Sequence, residues 1–206
     1  MKKTITIIPI TIILFHLISC SNTNTQSTLD LESMRLNDLG FTFWQEYLFN
    51  DQDSTILDSA LYYFNRAIAE NETNMAAHQN KNAVLFEQKK YDEIIVNINS
   101  LLEKTNPDDY PTKAQLYESL ANTYHLKGDS ISEQSVLLTA KHYYQLGLKG
   151  TKNERFIDAY ILFTAHTAGK DSALRELEKY RDLLINYIPY EVFKEQLLVD
   201  DYIITE

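Results

Sequence analysis

Cysteine is nearly missing from this sequence. Cys20 is the only one in 206 residues, so no intrachain disulfide can staple the fold and stability has to come from a packed core. Glycine and proline are also scarce, at five and four. The punctuation they supply, at Gly40, Gly128, Gly147, Gly150 and Gly169 and at Pro107, Pro111 and Pro189, leaves long stretches uninterrupted, which suits helices and disfavours a turn-rich sheet protein. Positive charge is short as well: 19 lysines and arginines face 29 aspartates and glutamates, for a net charge of −10. That balance disfavours nucleic acid and anionic lipid headgroups, both of which recruit basic clusters. No apolar run reaches the ~20 residues that a membrane-spanning helix needs.

The linear signatures of common chemistries are missing too. There is no Gly-rich phosphate loop, no Gly-x-Ser-x-Gly elbow and no His-Glu-x-x-His pair. His78, His125, His142 and His166 never fall three or four apart, so no single helix offers two metal ligands on one face. Asp108-Asp109 and Asp200-Asp201 are adjacent, hence divergent, and lack the alternating ligand spacing of a calcium loop. They read as caps and solvated tails. The expectation is no metal and no cofactor.

The N-terminus carries an address. Met1-Lys2-Lys3 is a basic start, and Thr4 to His16 is an apolar run of signal-peptide proportions ending in polar Ser19-Cys20-Ser21-Asn22. Leu17-Ile18-Ser19-Cys20 resembles the lipobox of bacterial lipoproteins. That resemblance implies that the Cys20 thiol receives a diacylglyceryl group and that cleavage leaves Cys20 as the new N-terminus. Two or three acyl chains at ~0.8 kcal/mol per buried methylene make such anchoring effectively permanent. Ser21 is not the aspartate that retains some lipoproteins at the inner membrane, and no acidic run of the surface-export type follows Cys20. The expected location is therefore the outer membrane, facing the periplasm. Residues 21–28 are polar and uncharged, a tether of on the order of 15 Å. The expected organisation is a signal peptide over 1–19, a lipidated cysteine and tether over 20–28, and one helical domain over 29–206.

Within that domain the apolar spacing is helical. Leu57, Leu61, Phe64 and Ile68 lie at three- and four-residue steps, as do Leu116, Leu120, Thr123 and Tyr124. No stretch alternates as a strand, so the fold class is all-α. A pattern recurs. Ala60, Phe64 and Ala67 place an aromatic between two small residues, and Ala140, Tyr144 and Gly147 repeat the spacing. Ile94, Ile98 and Leu101 repeat it 34 residues after the first set with aliphatics throughout. Helix starts are expected at the capping-box patterns Ser130-x-x-Glu133 and Thr151-x-x-Glu154 and at Pro111. Pro189 to Ile203 reads as a terminal helix covering the last pair. Trp44 and the runs Tyr62-Tyr63-Phe64 and Tyr143-Tyr144 read as repeat core, with one neighbour turned outward.

The sequence resembles tetratricopeptide (TPR) repeats, most clearly from Lys90-Tyr91-Asp92-Glu93-Ile94-Ile95 to Asn106-Pro107. First-helix patterns stand at Trp44 with Tyr47, and at Tyr117, Leu120, Ala121 and Tyr124 before Gly128-Asp129. Departures are Lys81-Asn82 where a Leu-Gly-like pair is expected, a third unit lengthened over Ser130 to Val136, and a fourth unit from Lys152 to Ile185 that keeps little beyond Gly169-Lys170-Asp171. The resemblance implies a helical-hairpin solenoid with a C-terminal capping helix. It also implies a concave groove lined by first helices: Gln79 and Phe86 from the second unit, Glu118, Asn122 and His125 from the third, Phe163 and His166 from the fourth. Gln79 and Glu118 stand where a carboxylate-clamping lysine is found in chaperone-adaptor TPRs, so capture of a partner's terminal carboxylate is not expected.

The function expected is a non-enzymatic, membrane-anchored scaffold that binds an extended peptide or a helix of another cell-envelope protein. The rival is a divergent helical envelope enzyme or small-ligand-binding protein acting on cell-wall material, with active groups drawn from separate helices. Converging, mutually hydrogen-bonded carboxylates or histidines in a pocket favour the rival, and an open groove favours the scaffold.

Overall fold

The computed structural model describes residues 28–49, 53–149 and 151–199. Cys20, the signal peptide and nearly all of the tether lie outside the described residues, as does the end of the chain from residue 200. Among the described residues there are nine α-helices and no strand: α1 (Thr28–Phe49), α2 (Ser54–Glu70), α3 (Met75–Glu87), α4 (Tyr91–Lys104), α5 (Tyr110–Lys127), α6 (Ser130–Gly147), α7 (Glu154–Ala168), α8 (Lys170–Lys179) and α9 (Tyr190–Val199), with a 3-10 turn at Arg181–Leu183. None of these helices is long and apolar enough to cross a membrane.

The helices pair as α1 with α2, α3 with α4, α5 with α6 and α7 with α8, and each second helix of the first two pairs leans on the first helix of the next. This is the TPR-like helical-hairpin solenoid expected from the sequence, closed by α9 against α8. The recurrent small-aromatic-small pattern lies on the second helices and accounts for the pairing. Ala60, Phe64 and Ala67 are buried on α2, Ile94, Ile98 and Leu101 on α4, and Ala140 and Tyr144 on α6. Small residues let the partner helix approach. A Cβ added to Gly40 of α1 would stand 2.6 Å from the Phe64 ring, so α1 seats on α2 only because that position carries no side chain. The fourth second helix continues the theme with buried Ala173 and Leu177 and half-buried Tyr180, a continuation masked in the sequence by the charged surface of α8.

The core is correspondingly a chain of local clusters. Leu36, Ala67 and Ala77 form one, Leu57, Ala60, Phe64 and Val84 the next, and Leu85, Ile94, Ile98, Leu101, Leu116 and Leu120 a third. The largest gathers α5 to α9 around Tyr144, Phe156, Ile161, Leu177 and Phe193. Trp44 is half-buried against the second of these rather than fully enclosed, with its ring edge-on to Phe41.

Helix termini correct two expectations. The cap of α6 is Asp129, which accepts from the backbone N–H of Ser132, and that of α7 is Asn153, which accepts from Phe156. Ser130 is already inside α6, and Thr151 lies two residues before the cap, where its hydroxyl accepts from the Asn153 N–H. In both places a Ser or Thr stands within two residues of an Asp or Asn, and the backbone leaves the acidic or amide residue at the position whose side chain caps the first turn. Pro111 occupies the first turn of α5, and Gly128 ends that helix in the left-handed conformation at φ 78°, where glycine is unstrained. The terminal helix begins at Tyr190, one residue after Pro189, and is described to Val199; the expected remainder to Ile203 lies outside the described residues.

Candidate partner-binding groove

The first helices α3 and α5 flank a shallow cleft whose lining includes Gln79 and Asn82 from α3 and Gln115 and Ser119 from α5. Its floor is built by a buried polar tie. Asn97 of α4 donates to the Asn82 side-chain carbonyl (2.7 Å) and to the His78 backbone carbonyl (3.1 Å). Its own side-chain carbonyl lies 2.7 Å from His78 Nδ1, while His78 Nε2 lies 3.0 Å from the Glu72 carbonyl. A neutral imidazole has one N–H and meets one of those two acceptors at a time. The tie explains the Lys81-Asn82 departure: where a Leu-Gly-like pair would let α4 approach, this chain uses an amide that hydrogen-bonds across the pair. The His78–Asn97–Asn82 cluster was missed by linear spacing, because its members come from two helices.

The expected groove residues do not all share one surface. Gln79 is half-buried at the cleft. Phe86, at the end of α3, is 45% exposed and tilts over Tyr91 at 6.4 Å. On α5, Asn122 and His125 are exposed and Leu120 is buried, while Tyr124 is half-buried against the third cluster. His125 Nδ1 lies 3.1 Å from Glu133 Oε1, which ties it to α6. Glu118, one turn before Asn122, is mostly buried, and its Oε2 accepts the Tyr144 hydroxyl at 2.5 Å. His166 is exposed in the last turn of α7.

Phe163 is not part of that surface. It is 2% exposed, with its ring 4.9 Å from that of Tyr144. The reason lies in α7, where Phe156, Ile157, Tyr160, Ile161 and Phe163 are all buried, because neighbours cover this helix on more than one side. The exposed stripe shifts by one residue, to Leu162 and His166.

Three carboxylates of α5 and α7 carry shifted electrostatics. Burial pushes the Glu118 carboxyl above its ordinary range, and the Tyr144 hydroxyl bond offsets part of that. Tyr144 in turn is held well above the usual phenol range by burial and by the adjacent Glu118. Asp158 of α7 is 4% exposed, and both of its oxygens lack a hydrogen-bond partner. Burial, with Glu154 one turn away, pushes it up to about 7. Glu154 shifts the opposite way. It accepts the backbone N–H groups of Ile185, Asn186 and Tyr187 at 2.8–3.0 Å, and these hold it below the usual carboxylate range. Among the described residues no group of three or more His, Cys, Asp or Glu is placed to hold a metal ion.

No family model matches the chain. Among curated proteins, a segment is 35% identical over 69 residues to the STIP1 homolog of Dictyostelium discoideum, covering 32% of this chain and 12% of that protein's length. Among solved structures, the N-terminal domain of stress-induced protein-1 from C. elegans matches with a TM-score of 0.43 at 18% identity, over 66% of this chain and 98% of that one. A MamA double mutant matches with a TM-score of 0.42 at 14% identity, over 76% of each chain.

Proposed function

We propose that this protein is a lipid-anchored scaffold of the bacterial cell envelope whose groove holds an extended peptide or a helix of another envelope protein. The observation that carries the reading is the surface composition of the first helices. Gln79, Gln115, Ser119 and Asn122 present amides and a hydroxyl along adjacent helices, while Tyr144 of α6 and Phe163 of α7 are withdrawn into the core. Amide groups at helical spacing donate to and accept from a peptide backbone, and the cleft between α3 and α5, at about 30 Å³, is too small to enclose a small-molecule ligand.

The cell-wall enzyme reading gains no support from the carboxylates one turn apart on α7. Glu154 is saturated by the 185–187 turn, and Asp158 is enclosed. Anchoring rests on the lipobox resemblance at Leu17-Ile18-Ser19-Cys20, and location at the outer membrane facing the periplasm rests on Ser21. Fractionation tests the anchor: Cys20→Ala leaves the processed lipidated species absent from the membrane pellet, and a lipidated pellet form of that variant would overturn it.

The groove is tested by separating binding from stability. Asn122→Lys puts a cation where an amide meets partner backbone and weakens capture of a crosslinked partner by ~1–3 kcal/mol, with a change in folding of only ~0.5 kcal/mol. Leu120→Ala does the reverse, costing ~2–5 kcal/mol of stability through a core cavity. Normal capture by a folded Asn122→Lys protein would move the working surface away from the groove.

A further inference from the structure

We propose that Glu118 is the specificity-determining residue of the groove, a carboxylate that receives a lysine or arginine side chain of the partner segment. The inference rests on the scaffold reading above and gives the partner a chemistry.

Glu118 sits at the junction of three helices. Its own helix is α5, its Oε2 accepts the hydroxyl of Tyr144 from α6, and the Tyr144 ring packs on Phe156, Tyr160 and Phe163 of α7. A carboxylate has about four lone-pair sites on two oxygens. The tyrosine uses one, no protein donor reaches Oε1, and Oε1 is not sealed in the core. The Tyr144 bond therefore fixes the orientation of the group and leaves its other oxygen open, on the residue one helical turn before exposed Asn122.

The charge of that oxygen is uncompensated from within. Among the described residues no lysine, arginine or histidine forms an ion pair with Glu118. The causes acting on its carboxyl are burial and the Tyr144 bond, with no neighbouring cation. An isolated carboxylate withdrawn from water is costly unless paired, and an incoming ammonium or guanidinium supplies both the charge and the donors. Along the stripe Gln79, Asn82, Gln115, Ser119 and Asn122 are uncharged, and the His125–Glu133 pair one turn further along α5 is already matched within the chain. The net charge of −10 also favours approach of a basic segment and repels an acidic one.

The experiment uses random twelve-residue peptides displayed on phage, selected in parallel on the full chain and on its Asn122→Lys, Glu118→Gln and Tyr144→Phe variants, with melting temperatures confirming that each is folded. The account predicts that peptides recovered on the wild-type chain and lost on Asn122→Lys carry lysine or arginine at one fixed position. Exchanging that residue for glutamine in a synthetic copy weakens binding by about tenfold or more, as expected for a charged hydrogen bond. Glu118→Gln erases the preference, because the amide still accepts the Tyr144 hydroxyl but carries no charge. Tyr144→Phe keeps it, because the carboxylate remains. Groove-dependent peptides with no enriched basic position, or a basic preference that survives Glu118→Gln, overturn the proposal and leave the scaffold reading standing. Recovery of no peptide sensitive to Asn122→Lys overturns the scaffold reading itself, and the proposal with it.

Discussion

Asp158 holds a carboxyl in the core with nothing to bond to, and its cost depends on pH. Its folded-state value of about 7 lies above the ordinary 3.8, so the folded chain holds the proton more tightly than the unfolded chain between those values. Its effect on stability is therefore neutral below about pH 4, grows unfavourable as pH rises towards 7, and is fully unfavourable above it. Asp158→Asn keeps the shape and removes the charge. The melting temperature of the variant, measured against wild type from pH 4 to pH 8, should gain steadily with pH, reaching an advantage of roughly 1–3 kcal/mol at the alkaline end. A constant difference across that range would show that the group is not enclosed as described. Gly40 supplies a second test at this scale. Gly40→Ala drives a methyl into the Phe64 ring, at 2.6 Å as built, and towards the Ala60 carbonyl at 3.1 Å, so thermal melting should reveal a loss of about 1–3 kcal/mol.

At the scale of the element, helix existence was legible because burial follows period. Leu57, Phe64, Ile98 and Leu120 stand at helical steps in the sequence and are enclosed in the fold. Caps were legible only to within a residue or two. Ser130 and Thr151 carry the Ser/Thr-x-x-Glu pattern, yet Asp129 and Asn153, followed three residues later by Ser132 and Phe156, hold the caps. The backbone dihedrals that decide the position are encoded by no linear motif. Asp129→Ala should lower the melting temperature while Ser130→Ala leaves it nearly unchanged, and Asn153→Ala should cost about 1 kcal/mol. Equal losses from Asp129→Ala and Ser130→Ala would contradict the assignment of the cap. The expected exposure of Phe86, Asn122 and His125 and the partial exposure of Gln79 on α3 and α5 agree with the fold, while Glu118 turns towards Tyr144. The expectation failed on α7 because a helix enclosed on several sides carries apolar residues almost all round, so periodicity no longer marks the exposed face and Phe163 was taken for Leu162. The His78–Asn97–Asn82 tie left no linear trace, since its members meet only once α3 and α4 pair.

For the molecule as a whole, a solenoid of local clusters implies that damage at one end stays there. Glu154 holds the 185–187 turn, and that turn leads into α9, which packs over the last pair through Phe193 and Leu197. Glu154→Ala should raise amide hydrogen exchange over Tyr190–Val199 and leave protection in α3 and α4 unchanged. Loss of protection throughout would mean that the clusters fold as one cooperative unit. The same modularity gives the molecule two long surfaces. The first helices carry the amide stripe of the proposed groove, and the second helices carry isolated exposed apolar residues such as Val96 and Leu138.

Which of those surfaces meets the partner can be read directly by placing the photo-crosslinking residue p-benzoylphenylalanine at single positions of the full chain in cells: Gln115 and Asn122 on the groove stripe, Val96 and Leu138 on the second helices. The account predicts that irradiation joins one envelope protein to the chain from Gln115 and from Asn122, and that neither Val96 nor Leu138 yields the adduct. An adduct formed from Val96 or Leu138 and absent from both groove positions would contradict it.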